Sequence, residues 1–307
     1  VFVTGFSDGG SGSFSQAFRS PDNFAGYFPM MGDPLIPTTD QIQHCYTNLK
    51  GAHIYALTGG ADPIYPGKEM EKLFKAANKQ GADIEYTLYP DVGHTWADND
   101  VEFPKILDYT EQWMRDPLPG ELDWTTDLPE LGRRAWLSID ETGDLPKALN
   151  KAKKLQPEGG GSFRPDLGIK AELNAPPNAP AEVGQLEKGL VADRMGIKEG
   201  DVVVGMDGKE VASFTDIRML LIKKKPGEKI SLTVDRNGKR LTFEDKLDKP
   251  AKSHPGRVQG KQKPGHVTLE VYDVKKLSIW VAPELLDKKG RLTIKINRDK
   301  VFDAVVT

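Results

Sequence analysis

The chain has 307 residues, enough for two or three domains, and its 42 basic and 45 acidic side chains give a formal net charge of −3. This near balance provides no global field to attract a polyanion, so we expect no nucleic-acid partner. The one cysteine, Cys45, excludes an intramolecular disulfide and a cysteine-based metal site, and no apolar run approaches the ~18 residues of a membrane span.

The first third of the chain alternates between strand and helix patterns. An apolar run over residues 1–4 predicts a strand that leads through a glycine-rich turn into a helix from residue 13. Further strands are predicted over residues 24–32, 53–58 and 84–89, and helices over residues 68–79 and 103–114. The last of these helices has an apolar face, made of Phe103, Ile106, Leu107, Thr110 and Met114. Such alternation is typical of βα units with a mainly parallel sheet.

The turn after the first strand has the pattern Gly-x-Ser-x-Gly, here Gly5-Phe6-Ser7-Asp8-Gly9. Between a strand and a helix, this pattern holds a serine at the apex of a strained turn, with small residues on both sides because neighbouring backbone approaches closely. The alternative is an ordinary loop rich in glycine and serine, which is common. A predicted strand precedes this turn, a predicted helix follows it, and suitable partner residues lie farther along the chain. These features favour the first interpretation, a turn that presents the serine as a nucleophile.

Two more polar side chains, Asp62 and His94, follow predicted strands. Taken singly, His94 has the alternative of a hydrogen-bonded loop histidine, and Asp62 that of a turn residue before Pro63. Because the carboxyl ends of parallel strands meet at one edge of a sheet, we expect Ser7, Asp62 and His94 to lie together. A serine hydroxyl needs a histidine to take its proton, and that histidine needs a carboxylate to orient it. The order Ser…Asp…His therefore predicts Ser7 as nucleophile, His94 as base and Asp62 as the acid.

Residues 1–116 resemble the C-terminal half of an α/β-hydrolase, of the prolyl-oligopeptidase-like, dienelactone-hydrolase-like or carboxylesterase-like kind. The resemblance rests on the Ser7 turn, the acid loop at residues 60–63 and the Gly93-His94 loop. It implies hydrolysis of an ester or peptide substrate through an acyl-serine, without metal or cofactor, and makes the backbone N–H of Asp8 an oxyanion-hole donor. The family's strands upstream of the turn, and the loop with its second donor, have no counterpart in this sequence, so we expect a partial hydrolase domain.

Residues 117–157 have a different pattern from the segment before them. Polar and apolar residues alternate over residues 121–126 and 134–140, which predicts two half-buried strands. A short helix is predicted over residues 145–154, and residues 157–162 have the composition of a linker.

Residues 158–250 contain a second set of linked motifs. They predict a strand leading into a short helix over residues 189–197, a strand between turns over 198–209, a helix over 214–225 that ends in lysines, and a hairpin closed by Asn237-Gly238. In this order the motifs resemble a PDZ domain of the bacterial periplasmic type. The resemblance implies binding of an extended peptide by its C-terminal carboxylate, with Leu167, Gly168 and Ile169 in the carboxylate-binding loop. The alternative is a structural scaffold whose groove is filled by its own linker.

Residues 251–307 read as further strands, with alternation around residues 267–271, 277–281 and 292–296. Three or four such strands form a thin layer that needs a partner. Together with Trp136-Leu137-Ser138-Ile139, they resemble a small β-domain that follows the catalytic domain in some bacterial secreted hydrolases. This resemblance implies that residues 251–307 form one domain with residues 121–140, into which the PDZ domain is inserted.

Two functions from different classes follow from these patterns. The first is a serine hydrolase, an esterase or a peptidase, that carries a PDZ domain able to bind a C-terminal peptide. The alternative is a non-catalytic PDZ adaptor with an incomplete hydrolase remnant. The family resemblances imply a periplasmic or secreted location.

Overall fold

The computed structural model describes residues 1–35, 45–96, 99–143, 165–171, 179–221, 223–249 and 255–306. The described residues form two compact units, and the second, at residues 165–249, interrupts the first along the chain. The helix predicted over residues 145–154 and the linker predicted over 157–162 lie outside the described residues.

In its described residues, the first unit begins with a four-stranded parallel sheet and three α-helices. In chain order they are β1 (Phe2–Phe6), α1 (Asp8–Arg19), β2 (Gly26–Met30), β3 (His53–Gly59), α2 (Gly67–Lys79), β4 (Asp83–Tyr89) and α3 (Asn99–Gln112). The strand order is β1-β2-β3-β4, and every neighbouring pair is parallel. The prediction of a mainly parallel α/β sheet is thus confirmed, and its strands all end at one edge.

The two faces of this sheet bury different side chains, because successive residues of a strand point to opposite faces. Tyr27 lies in the core covered by α1 and α2, which also contains Phe14 and Phe74. Its neighbour Phe28 lies in the opposite core, against α3. Both strand residues are almost fully buried, so the sheet is a middle layer between helices.

Helix α3 packs on the sheet through a different face from the one predicted. Phe103 is 50% exposed and Leu107 is 61% exposed, whereas Ile106 and Tyr109 pack against the core. The reason is the buried carboxylate of Glu102, which accepts hydrogen bonds from Tyr55 Oη, at 2.7 Å, and from Tyr89 Oη. These bonds fix the rotation of the helix, so residues spaced from Glu102 by one and two turns face inward.

The rest of the first unit is a β-rich region, built from residues that precede and residues that follow the second unit along the chain. Its strands are β5 (Glu121–Thr126), β6 (Arg133–Arg134) and β7 (Leu137–Thr142), and later β15 (Gly256–Lys263), β16 (His266–Tyr272), β17 (Val274–Ile279), β18 (Arg291–Ile296) and β19 (Asp299–Val305). One sheet has the order β19-β18-β16-β15-β5 and the other β17-β7-β6. Strand pairs β5–β15 and β7–β17 therefore join residues before and after the second unit.

A buried core and a buried ion pair hold this β-rich region together. Trp124 and Trp136 are each 1% exposed and lie in one hydrophobic cluster with Leu269. Across β5 and β15, the guanidinium of Arg257 donates to both carboxylate oxygens of Asp123, at 2.9 and 2.7 Å. Both side chains are about nine-tenths buried, so water is a poor substitute for either partner of the pair.

The described part of the second unit has a five-stranded antiparallel sheet, a short strand pair and two α-helices. In chain order its elements are β8 (Ile169–Lys170), β9 (Ala181–Glu182), β10 (Gln185–Leu186), α4 (Val191–Met195), β11 (Val202–Met206), β12 (Lys209–Glu210), α5 (Phe214–Leu221), β13 (Lys229–Arg236) and β14 (Lys239–Lys246). The hairpin β13–β14 turns at Asn237 and Gly238, both with positive φ, as the sequence predicts. Helix α5 ends at Leu221, before the lysines, and Lys224 pairs with Asp207 at 2.8 Å.

Candidate functional site

Ser7 occupies a strained turn between β1 and α1. Its backbone has φ 59° and ψ −117°, and a positive φ is uncommon for a residue with a side chain. A Cβ added to Gly5 would lie 2.3 Å from the carbonyl carbon of Gly9, and one added to Gly10 would lie 2.5 Å from the carbonyl oxygen of Met30. Gly9 itself has open space for a Cβ. The position that must be small after the serine is therefore Gly10, whereas the pattern had indicated Gly9.

The structure brings the three predicted side chains together at the carboxyl edge of the sheet. His94 Nε2 is 2.8 Å from Ser7 Oγ, and His94 Nδ1 is 2.8 Å from Asp62 Oδ2. Since a carboxylate can only accept, the Nδ1–H donates to Asp62, and Nε2 of the neutral ring is free to accept from the serine hydroxyl. The Asp62 side chain is fully buried and that of His94 is 15% exposed. This arrangement allows the histidine to take the proton of the serine.

Asp62 is held by its own loop, directly after β3. Its Oδ1 atom accepts hydrogen bonds from the backbone N–H groups of Ile64 and Tyr65, at 2.7 and 2.9 Å. The loop is tied to the one that carries His94, because the N–H of Ala61 donates to the carbonyl of Val92 at 3.1 Å. With Oδ1 occupied, Oδ2 is the oxygen left to orient the histidine.

The backbone N–H of Asp8 lies at the first residue of α1. An N–H in the first turn of a helix has no acceptor within the helix, and the positive end of the helix dipole favours an anion there. The Asp8 side chain is turned toward Tyr65, whose hydroxyl donates to Oδ1 at 3.1 Å. The position of this N–H, next to Ser7, suits an oxyanion donor.

Three aromatic residues near His94 were missed by the sequence reasoning. Tyr65 is fully buried and meets the imidazole edge to face, with ring centroids 5.6 Å apart. The ring of Phe6 also lies against the imidazole, with ring centroids 5.1 Å apart. Phe6 stacks on Trp96 with a centroid distance of 4.9 Å and an interplanar angle of 18°. Their proximity in sequence to Asp62, Ser7 and His94 is a signal that could have found them.

Other reactive chemistry is limited in the described part of the chain. Burial raises the pKa of the Cys45 thiol to about 12, so this side chain is no competing nucleophile at neutral pH. Within the described residues, no three His, Cys, Asp or Glu side chains are grouped to hold a metal ion. Of the helices that the structure describes, none combines the length and apolar character needed to cross a membrane.

The predicted carboxylate-binding loop of the second unit lies directly before and at β8. Gly168 has φ +76°, and a Cβ there would lie 2.6 Å from Cβ of Leu190, so both conformation and space require glycine. The Leu167 side chain is buried in the core, and that of Ile169 is partly buried. The N–H of Gly168 donates to Oδ1 of Asp166 at 3.0 Å, a contact that sequence reasoning missed. One donor of the loop is therefore already bonded to a carboxylate of the chain.

Comparison with protein families identifies two parts of the chain. The model of the dienelactone hydrolase family matches residues 1–123, and that of the PDZ domain matches residues 165–247. The chain thus has a dienelactone-hydrolase-family segment at its N-terminus, followed by a PDZ domain. The resemblances predicted for these two parts of the chain, to an α/β-hydrolase and to a PDZ domain, are confirmed.

Individual relatives match smaller parts. The chain is 30% identical over 127 residues to a probable periplasmic serine endoprotease DegP-like of Hahella chejuensis, which covers 41% of this chain and 23% of that protein. It is 29% identical over 133 residues to the periplasmic pH-dependent serine endoprotease DegQ of Escherichia coli, with 39% and 29% covered. The chain spans less than a third of the length of these relatives. A Bacillus cereus carboxylesterase structure is 22% identical, covers 37% of this chain and 50% of that chain, and has a TM-score of 0.30.

Proposed function

We propose that the chain is a serine hydrolase that cleaves an ester or amide through an acyl-serine, with Ser7 as nucleophile, His94 as base and Asp62 as the orienting acid. The observation that carries the proposal is the pair of 2.8 Å contacts that join Ser7 Oγ to His94 and His94 to Asp62. The match of residues 1–123 to the dienelactone hydrolase family supports it.

In the proposed reaction, Ser7 Oγ bonds to the carbonyl carbon of the substrate while its proton passes to His94 Nε2. The carbonyl oxygen takes the electron pair of the broken π bond, and the N–H of Asp8 donates a hydrogen bond to it. The tetrahedral intermediate then collapses, and the bond to the leaving oxygen or nitrogen breaks as that atom takes the proton from His94. Water repeats the sequence on the acyl-serine, which releases the acid and restores Ser7.

Asp62 stays ionised throughout this cycle. Its hydrogen bond to Nδ1–H selects the tautomer with an accepting Nε2, and its charge stabilises the imidazolium that forms. The two backbone N–H groups on Oδ1 prevent the carboxylate from rotating away. Positioning of this kind lowers the barrier because the groups are not reorganised during the reaction.

For the PDZ domain we propose binding of an extended peptide beside β8, with its C-terminal carboxylate at the loop of Leu167, Gly168 and Ile169. The C=O of Gly168 accepts from the N–H of Glu187 at 2.8 Å, so the next residue, Ile169, directs its N–H away from β10. That edge could receive a peptide strand. A periplasmic or secreted location fits the names of the relatives and is part of the same proposal.

A fluorophosphonate probe tests the hydrolase proposal on the full chain, because it reacts covalently with an activated serine. We expect labelling of the chain, its loss in Ser7→Ala and His94→Ala, and normal labelling in the control Ser15→Ala on the same helix. Far-UV circular dichroism should show that all variants keep the fold. An unlabelled chain, or labelling that survives Ser7→Ala, contradicts the proposal and favours the adaptor.

A further inference from the structure

Trp96 is a large aromatic side chain that remains 52% exposed two residues after His94. Its indole stacks on Phe6, the residue directly before Ser7, with ring centroids 4.9 Å apart. The ring of Phe6 in turn packs against the imidazole of His94, with ring centroids 5.1 Å apart. Together Phe6 and Trp96 form a continuous aromatic surface, called here the Phe6–Trp96 platform, that extends from the histidine into solvent.

The position of this platform relates it to one part of a substrate. In the proposed reaction the leaving atom takes its proton from His94 Nε2, so it must come within hydrogen-bonding distance of that nitrogen. The group attached to the leaving atom then lies on the histidine side of Ser7. Phe6 contacts the histidine and Trp96 belongs to the same loop, so both lie on this side.

We propose that the Phe6–Trp96 platform binds the leaving group and gives the enzyme a preference for a planar aromatic group on the leaving oxygen or nitrogen. This inference rests on the proposed hydrolase function and adds the chemical class of the leaving group. Stacked aromatic rings gain free energy beyond the burial of their area, whereas a saturated ring of the same size gains burial alone. The exposed half of Trp96 provides the surface for such stacking.

The matched substrates for a test are benzyl acetate and cyclohexylmethyl acetate. Both have the same acyl group and a primary alcohol with a six-membered carbon ring, and they differ in whether that ring is aromatic. We expect the full chain to hydrolyse the benzyl ester with a kcat/KM roughly two- to tenfold higher, the range of one aromatic pair. The difference should lie mainly in KM, because the platform binds the leaving group without taking part in proton transfer.

Variants separate the platform from a structural role of Trp96. Trp96→Ala should bring the ratio of the two kcat/KM values close to one by lowering kcat/KM for the benzyl ester more than for the cyclohexylmethyl ester, and Trp96→Phe should restore most of the preference. The control is Trp280→Ala, which removes an equally exposed indole, 54% exposed, from the β-rich region. This variant should behave like the unmodified chain.

Two kinds of failure can be told apart. If Ser7 is not labelled by the fluorophosphonate probe, the proposed hydrolase function itself fails. If Ser7 is labelled but the ratio is already close to one, or Trp96→Ala leaves it unchanged, the platform does not bind the leaving group. An equal fall in activity toward both esters also overturns the inference, because it assigns Trp96 to positioning of the His94 loop.

Discussion

The two units of this protein differ in how far along the chain their essential contacts reach. In the first unit, the bond from His94 to Ser7 joins residues 87 positions apart, and that from Arg257 to Asp123 joins residues 134 apart. In the second unit, the proposed carboxylate-binding loop is made of consecutive residues. Long-range contacts form only when the whole sheet is in register. The first site is therefore fixed by the fold, whereas the loop of the second is held by contacts of shorter range, to the carboxylate of Asp166 and the N–H of Glu187.

The largest expected effect tests the long-range site at its most buried member. In Asp62→Asn, Oδ1 can still accept from Ile64 and Tyr65, so the amide nitrogen faces His94 Nδ1. A donor there forces the other tautomer, in which Nε2 carries the proton and cannot accept from Ser7. We expect a loss in kcat on the order of 10⁴-fold with an ester substrate.

The control for this prediction is Asp91→Asn, which removes an exposed carboxylate from the neighbouring loop. It should leave kcat unchanged. An Asp62→Asn variant with nearly full activity would show that Asp62 does not set the tautomer of His94. The long-range contact between these two residues would then not be essential to the site.

The next effect concerns the contact that joins β5 to β15. Asp123→Ala removes the carboxylate that accepts two hydrogen bonds from the buried guanidinium of Arg257, and breaking a buried ion pair typically costs about 3–5 kcal/mol of the free energy of unfolding. Urea denaturation followed by tryptophan fluorescence measures this loss selectively, because all five tryptophans belong to the first unit.

The chain provides a matched control on the same two strands. Glu121 and Lys261 form an ion pair at 2.7 Å that is largely exposed. Glu121→Ala should change the unfolding midpoint little, because water replaces the lost partner. Equal losses in the two variants would mean that the buried contact is not what holds the distant strands together.

At two adjacent glycines of the Ser7 turn, substitution by alanine should change the free energy of unfolding by smaller amounts and in opposite directions. Gly10→Ala places a Cβ 2.5 Å from the carbonyl oxygen of Met30, and overpacking of this kind costs about 1–3 kcal/mol. Gly9→Ala meets open space within a helix and should stabilise by about 0.5–1 kcal/mol. Thermal unfolding of both variants measures the difference. Destabilisation of similar size in both would contradict the close approach of β2 at Gly10.

The sequence predicted those elements and residues that are marked by the order and spacing of residue types along the chain. The parallel strands, the Asn237-Gly238 turn and the order of Ser7, Asp62 and His94 all belong to this class. It did not predict β15, because residues 256–263 have few apolar side chains and become a strand by pairing with β5 and β16 on both sides. Tertiary pairing here overrides the local pattern.

Contacts between side chains of different elements could not be predicted from the sequence either. The rotation of α3 depends on hydrogen bonds from Tyr55 and Tyr89 to Glu102, which no helical periodicity reveals. The stack of Trp96 on Phe6 likewise depends on two loops that meet at the sheet edge. Both cases require the register of the sheet before the contact can be inferred.

The smallest expected effect tests the local loop of the second unit. The carboxylate of Asp166 accepts from the N–H of Gly168, where a peptide carboxylate is proposed to bind, so the two negative groups compete for one donor. Asp166→Ala frees this N–H and removes the repulsion. A peptide that ends in an aliphatic residue with a free carboxylate should then bind about three- to tenfold more tightly, the scale of the net contribution of one hydrogen bond. Isothermal titration calorimetry of the full chain measures the change.

Two controls separate charge from loop conformation. Asp166→Asn keeps an oxygen that can accept from Gly168 but removes the negative charge, so it should produce only part of the gain. The same peptide with an amidated terminus lacks the charge that the loop donors would bind, and its affinity should not rise in either variant. If the acid and amide forms gain equally, Asp166 acts by holding the shape of the loop and not by competing for its donor. The local site would then be fixed by its backbone, as the long-range site is fixed by the sheet.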